Sequence, residues 1–236
     1  MKKTKILIGI FYTIIVFIFL YIFFSKFNFQ DIGSYKFIQT NMSYLVGLKE
    51  NNIIILSFIF LFLTVIWVFL LGFGSPVALL GGFIFSKWYG TFLVALSLSF
   101  GAMFLYIFAN YFFKDYIKEK FLSKFYKLEI KFKKNEFIFF FIYRFIGGIP
   151  FCIANILPVL FNINLKNYFF GSFLGMMPQI FVMVSLGSGL ESIIANNENS
   201  FPGFLNLISS PDIYFPILGF FIIFMVSFFL RKKFLK

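Results

Sequence analysis

The 236-residue chain contains no histidine and a single cysteine, Cys152. Disulfide frameworks, His–Cys zinc sites and histidine-dependent catalysis are therefore excluded within it. Charged residues make up only 13%, about half the share of a soluble domain. Acidic residues are scarcer still, nine in all, and none falls inside a long apolar run. Catalysis by a carboxylate pair inside such a run is thereby excluded, and the chain reads as something other than an enzyme. No Gly-x4-Gly-Lys-Ser/Thr loop is present, so nothing here cradles a nucleotide in that way. No cofactor and no metal are implied. Arginine occurs twice, as Arg144 and Arg231, against a background of lysine.

What remains is apolar. Hydrophobic residues make up 61%, an excess that lipid has to solvate. The length allows four to six membrane segments of about 20 residues each. The 44 phenylalanines rise together with isoleucine, lysine and asparagine, a pattern of AT-rich codon usage. The net charge of +12 is one that nucleic-acid binders share. Here, however, the basic residues lie at the ends of apolar runs. Positive-inside topology accounts for them without nucleic acid as a partner.

Residues 6–25 form an uncharged run behind Lys2, Lys3 and Lys5, with no small-residue cleavage site after it. It is expected to be an uncleaved first span. Residues 51–86 carry no charge at all. As one helix they would reach about 54 Å, well beyond a hydrocarbon core of about 30 Å. Gly72, Gly74, Pro76, Gly81 and Gly82 break the run, which predicts a re-entrant hairpin. Residues 88–113 predict a full span. Residues 114–136 hold eight lysines and four acids. Ile117, Phe121, Phe125, Leu128 and Phe132 recur at helical spacing within them. The pattern predicts a basic amphipathic helix in the headgroup plane, or simply a cytosolic loop. Residues 137–163 are apolar but interrupted by Arg144, Gly147, Gly148, Pro150, Asn155 and Pro158, which predicts a second hairpin. Residues 167–190, with Gly175 and Pro178, and residues 213–230 are the last two spans.

The expected fold is an all-α integral membrane protein. It has about four transmembrane helices and two opposed re-entrant helical hairpins that form an inverted repeat. Each half carries a Pro-broken segment, then a Lys-x-Tyr (Lys87-Trp88-Tyr89, Lys166-Asn167-Tyr168), then a helix with an internal Gly. Inverted repeats with broken helices are a transporter pattern. Three regions follow: 1–50, an N-terminal span and external segment; 51–190, a core with both hairpins; and 191–236, an acidic external loop, the last span and a basic tail. Both termini are expected in the cytoplasm, with the chain multi-pass in a cell inner (plasma) membrane.

The series Pro76-x4-Gly81-Gly82-Phe83-x-Phe85, Gly90, Gly101, Tyr143-Arg144, Ile149-Pro150-Phe151, Asn155 and Gly175-x-x-Pro178 with Gly187 resembles the VTT domain. That domain defines the DedA-like, SNARE-associated membrane proteins, and this chain is nearest the Tvp-type branch. The resemblance covers roughly residues 50–190. It implies two facing re-entrant hairpins and movement of lipid between leaflets, by a scramblase or a flippase of phospholipid or polyprenyl phosphate. DedA-type members carry acids in the first hairpin that are linked to proton coupling; residues 51–86 here carry none.

Arg144 is the leading candidate residue, because a charge at membrane depth is expensive and its planar fork fits phosphate oxygens. The alternative is structural: Arg144 would satisfy carbonyls freed by the breaks, or reach the interface. Asn155 and Ser75, at the hairpin tips, are the other candidates for a lipid headgroup. Pro76, Pro150, Pro158 and Pro178 are expected to shape the breaks, with Gly147 and Gly148. Gly81, Gly82, Gly101, Gly171 and Gly175 are expected at close helix contacts. Cys152 is expected to be inert. Partners are membrane lipids, anionic or phosphate-bearing. Translocation of such lipids is the leading function. An ion-coupled transporter of a small solute and a non-transporting membrane-homeostasis protein are the alternatives.

Overall fold

The computed structural model describes residues 2–26, 35–196 and 209–234. Most of the expected acidic loop, at 197–208, lies outside them, as do most side chains of the basic stretch 117–128. The regular structure of the described residues is all helical, with no strand among them. In order they form α1 (Lys2–Lys26), α2 (Tyr35–Phe69), α3 (Gly74–Phe85), α4 (Lys87–Lys134), α5 (Glu136–Ile146) and α6 (Phe151–Ile156). A 3-10 turn (Leu157–Phe161), α7 (Leu165–Asn196) and α8 (Pro211–Phe234) complete the chain.

Among the described residues, four stretches are long and apolar enough to cross a membrane: Asn52–Phe69, Lys87–Tyr116, Leu165–Ile194 and Pro211–Leu230. Three are the spans expected from sequence. The fourth, Asn52–Phe69, was expected as an arm of a hairpin, whereas it is as long as a span. Its 18 residues contain neither Gly nor Pro, so the helix runs on to the first breaker, Gly72. Its entry is marked by Asn52, whose extended backbone (φ −164°, ψ 73°) interrupts α2. Within α1 the described apolar stretch is Leu7–Phe19.

The expected separation of a span from a basic helix at Lys114 is not observed, because α4 runs unbroken through both. No Gly or Pro occurs between Ala102 and Lys134 to stop it. The helix is nevertheless not straight. Tyr106 donates to the Ile163 carbonyl at 2.7 Å, while Phe132, 26 residues on, stacks on Phe161 with ring centroids 4.4 Å apart. A straight helix would hold Tyr106 and Phe132 about 39 Å apart, farther than these contacts reach. The basic half therefore bends back toward the core, and Phe132 is buried in it.

Both predicted breaks are present. The chain leaves α2 through Leu70–Phe73 and starts α3 at Gly74. It leaves α5 through Gly147 and Gly148, both left-handed (φ +61° and +78°), which suits glycine and strains other residues. It then starts α6 after Pro150. The short helices α3 and α5 are about 18 and 16 Å long, each roughly half a hydrocarbon core. The two breaks adjoin: a Cβ added at Gly74 would lie 3.6 Å from the Phe151 ring and from Leu98.

In lipid, helices associate by close packing rather than by hydrophobic expulsion, and small residues permit it. The short helix α3 lies against α4 and α7 in this way. At Gly82 there is no room for a side chain, because the Val184 carbonyl of α7 occupies it; Gly187 meets the Leu79 carbonyl similarly. Gly90 approaches the Gly81 carbonyl, where a Cβ would stand 2.7 Å away. Gly101 packs on Val68, and Gly171 and Gly175 pack on α5. Gly82, Gly101, Gly171 and Gly175 were expected at close contacts; Gly90 and Gly187 were not.

Candidate functional site

Backbone freed by a break inside lipid has to be satisfied by the protein itself. Around the second break, tyrosine hydroxyls do this. Tyr143 donates to the Ala154 carbonyl (3.1 Å), Tyr168 to the Asn155 carbonyl (2.9 Å) and Tyr106 to the Ile163 carbonyl (2.7 Å). The Phe145 carbonyl, near the end of α5, accepts from Gln179 Nε2 of α7, with the Ser227 hydroxyl of α8 at 3.4 Å. At the first break, the Tyr12 hydroxyl of α1 caps the last carbonyl of α2, at Phe69, and the Trp67 indole donates to the Phe73 carbonyl.

Two asparagines start the helices that frame this region. Asn135 Oδ1 accepts from Ile138 N to cap α5, and Asn164 Oδ1 accepts from Lys166 N to cap α7. Glu136 joins the two helix starts. Its Oε1 accepts from the Asn164 backbone N–H (2.7 Å) and from Asn167 Nδ2 (2.8 Å).

Arg144 lies at the centre, in the last turn of α5, and is 4% exposed. Its Nη1 donates to Asn155 Oδ1 and its Nη2 to the Tyr168 hydroxyl, both at 2.7 Å. Tyr168 passes the bond on to the Asn155 carbonyl, so the three residues close a ring across the break. The guanidinium lies 5.2 Å from the ring centroids of both Phe140 and Tyr168. The Tyr168 ring in turn stacks on Tyr106 at 4.4 Å. A Cβ at Gly175 would stand 2.7 Å from Arg144 Cβ and from the Phe141 carbonyl, so this glycine lets α5 and α7 meet at the arginine. Among the described residues no group of three or more acidic, cysteine or histidine side chains could hold a metal ion.

The structure brings two of the three headgroup candidates together, Arg144 and Asn155. Ser75 is not with them. It sits exposed in the first turn of α3, and among the described residues no hydrogen bond joins it to either. The physical reason is position on the helix: Ser75 and Pro76 face outward, while Val77, Ala78, Gly81, Gly82 and Phe85 face the core. Pro76 and Pro150 are exposed at the starts of α3 and α6; Pro158 is fully buried in the 3-10 turn; Pro178 lies within α7, which continues through it. Cys152 is partly buried, with no second cysteine to pair with. The two Lys-x-Tyr tyrosines differ in setting. Tyr89 is 43% exposed and bonds Ser57, whereas Tyr168 is fully buried. Tyr168 and Tyr143 belong to sequence patterns given above, but neither they nor Tyr106 and Gln179 were expected as site residues. The available signal was a hydroxyl where phenylalanine would have filled the same volume, in a chain otherwise saturated with phenylalanine.

Comparison with known proteins agrees with this architecture. The family model of the VTT domain matches residues 68–189, just over half of the chain, from the end of α2 to late α7. The "Transmembrane protein 41 homolog" of Caenorhabditis elegans is 28% identical over 152 residues. That alignment covers 61% of this chain and 61% of the relative, so the chain spans less than two thirds of that protein's length. No solved structure matches significantly. The matched stretch contains both breaks, Arg144 and its partners, and the chain belongs to the VTT-domain family of DedA-like, multi-pass membrane proteins.

Proposed function

We propose that the protein moves lipids between leaflets, carrying a phosphate-bearing headgroup past the two breaks while the acyl chains stay in the bilayer. The observation that carries this reading is Arg144: a guanidinium buried at the junction, with no acidic partner among the described residues. Hydrogen bonds to Asn155 and Tyr168 hold the guanidinium but leave its charge unbalanced, and a visiting anion would balance it. Membership of the VTT-domain family and likeness to a membrane protein of that family support the same reading.

In this reading α2–α3 and α5–α6 are re-entrant segments that enter from opposite faces and meet near the midplane, as an inverted repeat. The lengths of α3 and α5, each about half a hydrocarbon core, and the adjacency of Gly74 and Phe151 support it. No nucleotide-binding loop is present, so transport is passive or ion-driven. Termini and basic segments lie on the cytoplasmic side of a plasma membrane by the positive-inside rule. A carboxylate relay through the core has no acid to run on, which disfavours an ion-coupled solute transporter.

The test is leaflet exchange in reconstituted vesicles, using fluorescent phospholipid and polyprenyl phosphate probes. Exchange faster than in protein-free vesicles, and slowed in Arg144→Ala, is expected. Exchange at the protein-free rate for both probes would refute the reading.

A further inference from the structure

Three buried polar atoms in the neighbourhood of Arg144 have no hydrogen-bond partner among the described residues: Arg144 Nε, Asn155 Nδ2 and Ser172 Oγ. Asn155 and Ser172 are fully buried, and Arg144 nearly so. Buried polar groups are almost always paired, so such orphans ask for a missing partner. The assignment of the asparagine follows from chemistry. Arg144 can only donate, so Nη1 must face the amide oxygen, and the amide nitrogen is left over.

Ser172 belongs to the same neighbourhood by helical spacing. Tyr168, four residues earlier on α7, bonds Arg144 Nη2, and Gly175, three residues later, abuts Arg144 Cβ. Residues spaced by four and three share a face, so Ser172 lies between the two positions that touch the arginine.

Arg144 Nε and Asn155 Nδ2 can only donate, and the Ser172 hydroxyl can donate as well. An oxyanion, which only accepts, satisfies all three and also balances the guanidinium. The geometry points to an oxyanion cradle formed by Arg144, Asn155 and Ser172, with a phosphate group as its ligand. Tyr168 is a positioning residue: by accepting from Nη2 and holding the Asn155 carbonyl, it fixes the fork with Nε left free. That the phosphate arrives on a lipid rests on the proposed function. The cradle itself does not need it.

The test is ligand-dependent thermal stabilisation of the full chain in detergent. The probes are dihexanoyl phosphatidic acid, inorganic phosphate and neutral dihexanoylglycerol. Phosphatidic acid is expected to raise the melting temperature and dihexanoylglycerol not to. A response to inorganic phosphate as well would show a cradle open to free anions; a response to phosphatidic acid alone would show one entered from lipid. Ser172→Ala is expected to weaken the apparent affinity about tenfold, the effect of losing one hydrogen bond to a charged group.

Asn155→Asp is the decisive variant, because it keeps the oxygen that Arg144 bonds and supplies an internal anion. It is expected to fold, to melt at or above the wild-type temperature, and to lose the phosphatidic acid response. A wild-type response in Asn155→Asp, or no response of the wild type to either phosphate probe, overturns the cradle. Binding without leaflet exchange would leave the cradle standing and sink the transport reading. Exchange that Asn155→Asp and Ser172→Ala both leave unchanged would do the reverse.

Discussion

Gly82→Ala sets two effects of known sign against each other. Gly82 lies in the interior of α3, where alanine is the better helix former by about 1 kcal/mol. Propensity alone thus predicts a more stable protein. Packing predicts the opposite. The new Cβ would fall on the Val184 carbonyl oxygen, with the carbonyl carbon 2.7 Å and Val184 Cα 2.9 Å away. These are backbone atoms in the middle of α7, and no rotamer change removes them. The helices have to part by roughly 1 Å, and overpacking of this kind costs about 1–3 kcal/mol. Packing therefore outweighs propensity, with a net loss of up to about 2 kcal/mol. At about 2–4 °C per kcal/mol for a chain of this size, the melting temperature falls by several degrees. Thermal unfolding in detergent, followed by tryptophan fluorescence, measures it. Gly47→Ala is the control: it sits in α2 with nothing within 4 Å of the added Cβ, and should be neutral or stabilising by up to about 1 kcal/mol. If Gly82→Ala melts at or above the wild type, as Gly47→Ala should, then α3 and α7 are not in backbone contact and the packing argument fails.

Further outcomes follow from the same contacts. Gln179→Leu leaves the Phe145 carbonyl with only the Ser227 hydroxyl at 3.4 Å, and should destabilise by about 1–3 kcal/mol in the same thermal assay. Asn164→Ala removes the cap of α7 and should cost about 0.5–2 kcal/mol. Arg144→Lys keeps a charge but cannot span Asn155 and Tyr168 with one ammonium, so vesicle exchange of phospholipid should slow by tenfold or more, about 1.4 kcal/mol or beyond. A wild-type exchange rate in that variant would show that the fork geometry is irrelevant.

Much of the fold was legible because lipid is an unforgiving solvent. Uncharged runs had to be helical, Gly and Pro had to interrupt them, and both breaks occur where the glycines and prolines cluster, at Gly72–Pro76 and Gly147–Pro150. Arg144 stood out because a charge inside an apolar run is rare, and Asn155 because it lies within the same break; the structure joins the two at 2.7 Å. Ser75 stands exposed at the start of α3, without a bond to Arg144 or Asn155, because sequence marks a helix start but not which way each of its side chains faces. A hairpin arm and a full span look alike in sequence, and Asn52–Phe69 is long enough for either. The junction at Lys114 was misplaced because a change from apolar to basic composition does not stop a helix that lacks Gly and Pro. The carbonyl caps were illegible for another reason. Tyr106, Tyr143 and Tyr168 act through hydroxyls on carbonyls that only the folded backbone exposes; a hydroxyl in place of phenylalanine marks the residue but not its distant partner.

Single cysteines in a Cys152→Ser background, labelled in intact membranes with an impermeant maleimide, test the opposed re-entry of the two breaks most directly. Ser75 and Ser86 mark the tip and mouth of the first break, and Ile149 and Asn135 those of the second. The account predicts that both positions of a pair react from one face, external for Ser75 and Ser86, cytoplasmic for Ile149 and Asn135. If the tip and mouth of either pair react from opposite faces, that segment crosses the bilayer completely, and the meeting of two half-depth helices at Arg144 is wrong.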